Sequence, residues 1–400
     1  MRYHTIKHSR EKVKSSLENY VIITYNKGKY MMTVDYLFAF ICAFIIGVII
    51  TPGFIYLSRR LGLVDRPTKE RKIHKKNIPL VGGASLLATG IIVGLIYYFF
   101  SDALTAVTVK PKHLLGLGIG SMIIVVGGLI DDKKDLPAKA QILFPLAAIV
   151  SVIVSGIGID WIKNPLTGDL WRLDAYRSTL LWYDGLPYRF TLLADLFTVV
   201  WLMAMMYTTK LLDGLDGLVS GIGVIASVFT FIVALIVEPH QTDIALLSLI
   251  FGSALLAFLV YNFNPAKAFL GEGGSLLVGF ILGVLSIMSG SKVAVTLIIV
   301  AVPMLDVLWT IIRRLLEGKN PFTAADRKHL HHRLLDAGFS VRSAVMILYL
   351  LSIIFGLLVL WLQQFGYGLL ILGFVVLLTF ILLTGYIYKV IAEKSRSNLD

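Results

Sequence analysis

The chain has 400 residues, of which 57% belong to the AVILMFWYC set and 16% are charged, with a mean hydropathy of +0.80 and a formal net charge of +12. A soluble domain of this length needs far less apolar surface, and the single cysteine, Cys42, excludes a disulfide framework and a thiolate metal centre. The basic residues fall in short loops between apolar runs, so the charge points to a membrane surface and an anionic substrate and away from nucleic acid.

Apolar runs cover 33–58, 80–100, 113–130, 138–157, 191–209, 215–237, 243–262, 274–289, 293–312, 343–363 and 367–388. Runs of about 18 to 25 residues suit helices that cross a bilayer, which predicts an all-α polytopic membrane protein of about eleven transmembrane helices. Cys42 lies inside the first run and reads as apolar filler. Lys and Arg number 23 in one set of alternate loops, among them 59–79, 131–139 and 313–342, and 7 in the opposite set. The positive-inside rule places the first set in the cytoplasm.

That orientation puts the amino terminus outside, although residues 1–30 carry seven Lys or Arg against two Glu. Met31 and Met32 stand just before the first run, so residues 1–32 read as a basic tail preceding a second candidate start of translation. Residues 33–390 read as one integral-membrane domain and 391–400 as a cytoplasmic tail. Residues 158–190 form the one sizeable outer insertion, where Trp161, Trp171 and Trp182 suit anchoring at the interface rather than chemistry.

Five polar clusters interrupt the apolar pattern: RKIHKKNIPLVGG, GLIDDKKD, KLLDGLDGL, YNFNPAKAFLGEGGS and IIRRLLEGKNPFTAADRKHLHHRLLDAG. All five belong to the loops assigned to the cytoplasm, which predicts a single site on that face. Charge near lipid is costly, so acids kept at span ends point to chemistry. Asp131 and Asp132 end one run, Asp213 and Asp216 lie three apart in DGLDG, and Glu272 opens another run.

Five converging carboxylates repel one another unless a cation sits among them. Oxygen ligands without cysteine favour magnesium, with manganese as the substitute, over zinc. The spacing of Asp213 and Asp216 predicts one face of a helix start, with Gly214 and Gly217 admitting a close neighbour. On the basic side, His329, His331 and His332 cluster with Arg327, Lys328 and Arg333, behind Arg313 and Arg314. A zinc reading of HLHH lacks a completing Cys or nearby carboxylate, and phosphate recognition by Arg, Lys and His fits better. The first loop adds Lys72 and His74, within a Lys-rich stretch that also serves as a topology signal. Together these residues predict a magnesium-dependent site for a phosphate ester at the membrane surface.

In order and content the five clusters resemble the polyprenyl-phosphate N-acetylhexosamine-1-phosphate transferase family, in its undecaprenyl-phosphate GlcNAc-1-phosphate transferase branch, over about residues 33 to 390. The resemblance implies attack of a polyprenyl phosphate on the β-phosphate of a UDP-N-acetylhexosamine, with magnesium bound, UMP released and a lipid-linked cell-envelope glycan begun. It implies a multi-pass protein of the cell membrane with its active site on the cytoplasmic face, and a homodimer is compatible with it. By motif match Asp131 orients or deprotonates the lipid phosphate, Asp132, Asp216 and Glu272 hold the metal, and Asp213 completes the catalytic acids. Lys72, His74, Lys210, Asn262, Arg313, Arg314, Arg327, His329, His331 and His332 contact substrate.

HLHH resembles the sugar-initiating branch and favours UDP-GlcNAc over UDP-MurNAc-pentapeptide, which stays as the alternative donor. Two positions depart from the family: relatives carry Asn where this chain has Lys210 and Tyr207, and Asp where it has Glu272 in GEGGS. Glu272 keeps the charge but reaches one methylene further, and Lys210 adds a cation that can replace metal charge or contact phosphate. Those departures mark a divergent member and also leave a non-catalytic relative as a competing reading. A transporter is disfavoured because its acids belong near mid-span.

Overall fold

A backbone that crosses lipid must satisfy its own N–H and C=O groups, so the apolar runs become helices. The computed structural model describes residues 34–67, 76–163, 169–174, 177–183, 186–236, 240–289, 301–316, 318, 329–362 and 368–397. The amino-terminal tail, Lys72, His74 and Arg327 lie outside the described residues.

Among the described residues eight helices are long and apolar enough to cross a membrane: α1 (Val34–Leu61), α2 (Gly82–Phe100), α3 (Pro111–Lys134), α6 (Leu192–Leu212), α7 (Leu218–Ile236), α8 (Thr242–Asn262), α9 (Gly271–Met288) and α12 (Val341–Leu362). Shorter helices fill the intervals: α4 (Ala138–Gln141), α5 (Leu143–Val154), α10 (Ala301–Leu316) and α11 (Leu330–Asp336). α13 (Gly368–Ser397) continues past residue 390 into the expected tail. The chain is an all-α polytopic membrane protein, as its composition requires. The predicted run 138–157 is broken at Ile142 into α4 and α5.

Strands β1 (Val64–Asp65) and β2 (Ile78–Pro79) pair antiparallel across the first loop. In the described residues of the insertion two strand pairs run antiparallel, β3 (Trp161–Lys163) with β4 (Leu170–Arg172), and β5 (Arg177–Tyr183) with β6 (Leu186–Thr191).

Helix α9 occupies the centre, with nearly every side chain buried, and packs on α3 and α6, while α7 lies along α8. Small residues permit this. A Cβ on Gly128 would fall 2.1 Å from the Cα and N of Gly273, and one on Gly279 would fall 2.4 Å from the Met205 carbonyl oxygen. Large apolar side chains left exposed on α1, α3, α6 and α12, such as Ile49, Leu115, Val200 and Leu357, form the surface that suits lipid.

One end of the bundle is tied by backbone bonds between distant loops. The N–H groups of Val81 and Gly82 both donate to the Phe269 carbonyl, and Phe269 N–H donates to the Pro79 carbonyl. These bonds bring the start of α2 to the start of α9, beside the end of α3.

Candidate active site

Asp131 and Asp132 are neighbours on α3, so about 100° of helical rotation separates their side chains and they do different things. Asp131 is buried and faces its own loop: Leu136 N–H donates to its Oδ1 at 2.8 Å and Gln141 Nε2 at 3.2 Å. These bonds turn the chain through Asp135, whose φ of 51° is left-handed, and into α4. Asp132 faces α9 instead. Glu272 N–H donates to its Oδ1 at 3.2 Å, and a Cβ on Gly271 would come within 2.7 Å of its Oδ2. Gly271 also has a φ of +74°, so both the backbone and the space at the start of α9 call for glycine. The helix amino terminus favours the negative charge it meets there.

Lys210, in the last turn of α6, closes the next side of the cluster. Its Nζ donates to Gln141 Oε1 at 3.0 Å and lies 2.7 Å from Glu272 Oε2. A ring of contacts thus runs from Asp131 through Gln141, Lys210 and Glu272 to Asp132. Gln141 carries no signal in the sequence beyond being a polar residue at the edge of a run.

The DGLDG motif is a turn between α6 and α7 and not the helix start that its spacing suggested: Asp213 caps the end of α6, and α7 begins only at Leu218. Here too the acids divide. Asp213 is exposed to solvent as a residue, yet the protein packed around its carboxyl, helped by the charges of Glu272, Asp132 and Asp216, pushes its pKa up to about 8. Asp216 points to the α8–α9 loop, where its Oδ2 accepts from Asn264 Nδ2 at 2.9 Å and Ala266 N–H at 3.0 Å. Asn262 braces the same loop, accepting from the Ser220 hydroxyl at 2.7 Å and donating to the Ala268 carbonyl at 2.9 Å.

The histidines reach the acids through a glycine. A Cβ on Gly214 would lie 2.4 Å from His331 Nε2, so the imidazole rests on the backbone of the DGLDG turn. His331 is buried, and burial, followed by the proximity of His332 and His329, holds its pKa well below the usual imidazole value. The His329 and His331 rings are parallel with centroids 5.7 Å apart, and His332 follows at 4.4 Å from His331. His329 Nδ1 lies 2.9 Å from Asp306 Oδ2, and Leu330 N–H donates to Asp306 Oδ1 at 2.9 Å. Asp306 was passed over in the sequence; its one signal is an acid in the middle of the apolar run 293–312. Arg313 and Arg314 are half-buried in the last turn of α10, each engaged in interactions.

Of the residues expected to hold a metal, Asp132 and Glu272 adjoin each other and Asp216 is bonded to its loop. Among the described residues no three His, Cys, Asp or Glu side chains are gathered closely enough to hold a metal by themselves. Magnesium does not need such a cage, because it takes one or two carboxylates and completes its shell with water and substrate phosphate. The donors are hard oxygens, and beyond the loss of water around it the Asp213 carboxyl feels the charges of Glu272, Asp132 and Asp216, a crowding that a cation relieves. The residues present therefore fit a magnesium ion that arrives with phosphate.

Residues 114–290 match the family model described as glycosyl transferase family 4. The chain is 32% identical over 329 residues to the Bacillus subtilis (strain 168) protein named "Probable undecaprenyl-phosphate N-acetylglucosaminyl 1-phosphate transferase", covering 80% of this chain and 82% of that one. It is 30% identical to the decaprenyl-phosphate N-acetylglucosaminephosphotransferase of Mycobacterium tuberculosis (strain H37Rv), over 74% of each chain. It is 29% identical to the undecaprenyl-phosphate alpha-N-acetylglucosaminyl 1-phosphate transferase of Escherichia coli (strain K12), over 74% of this chain and 75% of that one.

Proposed function

The chain belongs to glycosyl transferase family 4 as a phosphoglycosyl transferase of the membrane, and we propose that it moves GlcNAc-1-phosphate from UDP-GlcNAc to a polyprenyl phosphate of the undecaprenyl type. A phosphate oxygen of the lipid forms a bond to the β-phosphorus of the donor, the bond from that phosphorus to the bridging oxygen breaks, and UMP leaves with that oxygen. The product is a lipid-linked diphosphosugar at the cytoplasmic face of the cell membrane, the first unit of an envelope glycan.

The observation that carries this reading is the seat of His331 on Gly214, which sets a group of bases against a group of acids. Phosphoryl transfer is mostly positioning and neutralisation of charge, and those two groups supply both. Magnesium, with manganese as its substitute, would be held by Asp132 and Glu272 with water and substrate phosphate completing its shell, near enough to Asp213 for its charge to act there, and would neutralise the diphosphate. Lys210 stands beside those acids as a fixed cation for a phosphate oxygen. His329, His331 and His332, with Arg313 and Arg314, would bind the diphosphate and sugar from the other side. Asp131, Asp216 and Asn262 hold the loops that place these groups.

The test is incubation of membranes bearing the protein with undecaprenyl phosphate and a panel of UDP-sugars, with mass spectrometry of the lipid fraction. Formation of the lipid diphosphate of GlcNAc, with one UMP released per lipid, supports the reading. Product only from UDP-MurNAc-pentapeptide, or from no donor, overturns it.

A further inference from the structure

A carboxylate inside an apolar helix is expensive, and Asp306 on α10 is 4% exposed. Its partners account for both oxygens. Oδ1 accepts the N–H of Leu330, the first residue of α11, and Oδ2 lies 2.9 Å from Nδ1 of His329, which is itself buried. Thr310, one turn along the same face of α10, has its hydroxyl 3.5 Å from that ring nitrogen. Among the described residues the groups facing the imidazole are Asp306, Thr310 and the parallel ring of His331.

Capping α11 alone would not call for a charge, since Asn or Ser caps a helix as well as Asp does. What a neutral cap does not supply is a second oxygen to accept a ring N–H. A carboxylate oxygen accepts, so Nδ1 carries the proton, and the lone pair of the ring is confined to Nε2.

We propose that Asp306 is a positioning residue for the transfer reaction: it locks His329 in the Nδ1–H tautomer and so dedicates the Nε2 lone pair to accepting a proton from a proton-bearing oxygen of the phosphate-bearing substrate. For its kinetic consequence the proposal rests on the transferase reading above; for its structural half it does not. Asp306→Asn separates the two roles. The new side-chain oxygen still caps Leu330, but its amide donates where the carboxylate accepted, which forces the proton of His329 onto Nε2.

The experiment uses the full chain in detergent micelles or nanodiscs, as wild type, D306N, H329A and the double variant, with isotope-labelled histidine. Nitrogen chemical shifts, with the His329 signal assigned by its loss in H329A, should report Nδ1–H in the wild type and Nε2–H in D306N. The kcat for lipid product should fall about 100-fold in D306N, the lower end of what proton-handling groups contribute, with KM for the donor within about threefold. In the H329A background D306N should add no further loss. The proposal is overturned by an unchanged His329 tautomer, by wild-type kcat in D306N, or by an equal loss in both backgrounds. A wild type that makes no lipid product under any donor would instead remove the transferase reading, and the chemical shifts would still judge the Asp306–His329 link.

Discussion

Lys210 Nζ lies 2.7 Å from Glu272 Oε2, so the cation ending α6 and the acid opening α9 neutralise each other inside the acidic cluster. The contact joins two residues that the motif resemblance singled out one by one. Lys210 then competes with a divalent cation for Glu272. Lys210→Met should strengthen metal binding about fivefold, the roughly 1 kcal/mol upper range of a partly exposed ion pair. Manganese titration followed by electron paramagnetic resonance measures it, and a weaker affinity in the variant would show that Lys210 assists the metal.

The raised pKa of Asp213 gives a pH dependence with a definite sign. Its folded value of about 8 lies above its reference value of 3.8, so the folded protein binds the extra proton. The stability this contributes is complete below pH 3.8 and is lost as pH rises through about 8. The metal-free protein should therefore melt at lower temperature at about pH 9 than at about pH 6, and magnesium should raise its melting temperature more at the higher pH, because it displaces the proton. Asp213→Asn should flatten both trends in a thermal-shift assay.

The adjacent aspartates of α3 should separate by the kind of loss they cause. Asp131→Ala leaves Leu136 N–H and Gln141 short of an acceptor and should cost about 1–3 kcal/mol of stability. Asp132→Asn should melt like the wild type and make no lipid product. Differential scanning fluorimetry beside a UMP-release assay distinguishes them, and equal destabilisation by both would contradict the division of labour.

Gly214→Ala places a methyl too close to His331 Nε2 for both to fit, so it should push the histidine group off the DGLDG turn. The expected result is a loss of kcat of at least about tenfold with helical content unchanged by circular dichroism, since misplacing a reacting group by about 1 Å is enough for such losses. Retained kcat would mean that the contact is dispensable.

Much of this was legible in the sequence for physical reasons. Apolar run length sets a transmembrane helix, and carboxylates avoid lipid, so the spans and the end-of-span acids could be read directly. The division of each acidic pair could not, because neighbours on a helix differ only in which way packing turns them: Asp132 meets Glu272 because Gly128 lets α3 touch α9, and Asp216 meets Asn264 through a fold of the chain 48 residues away. The break between α4 and α5 follows Gln141 being drawn to Asp131 and Lys210, a bond between loops that periodicity does not record. Asp306 was hidden by its apolar neighbours, and its partner lies 23 residues further on.

The claim at the centre is that a sugar and its phosphate move together. UDP-GlcNAc carrying radiolabel in its β-phosphate, incubated with undecaprenyl phosphate, magnesium and the purified protein, tests it most directly. The label should pass into the lipid phase while UMP appears in the water phase, and Asp132→Asn should block both. Label retained in water as UDP, with sugar alone on the lipid, would contradict the account.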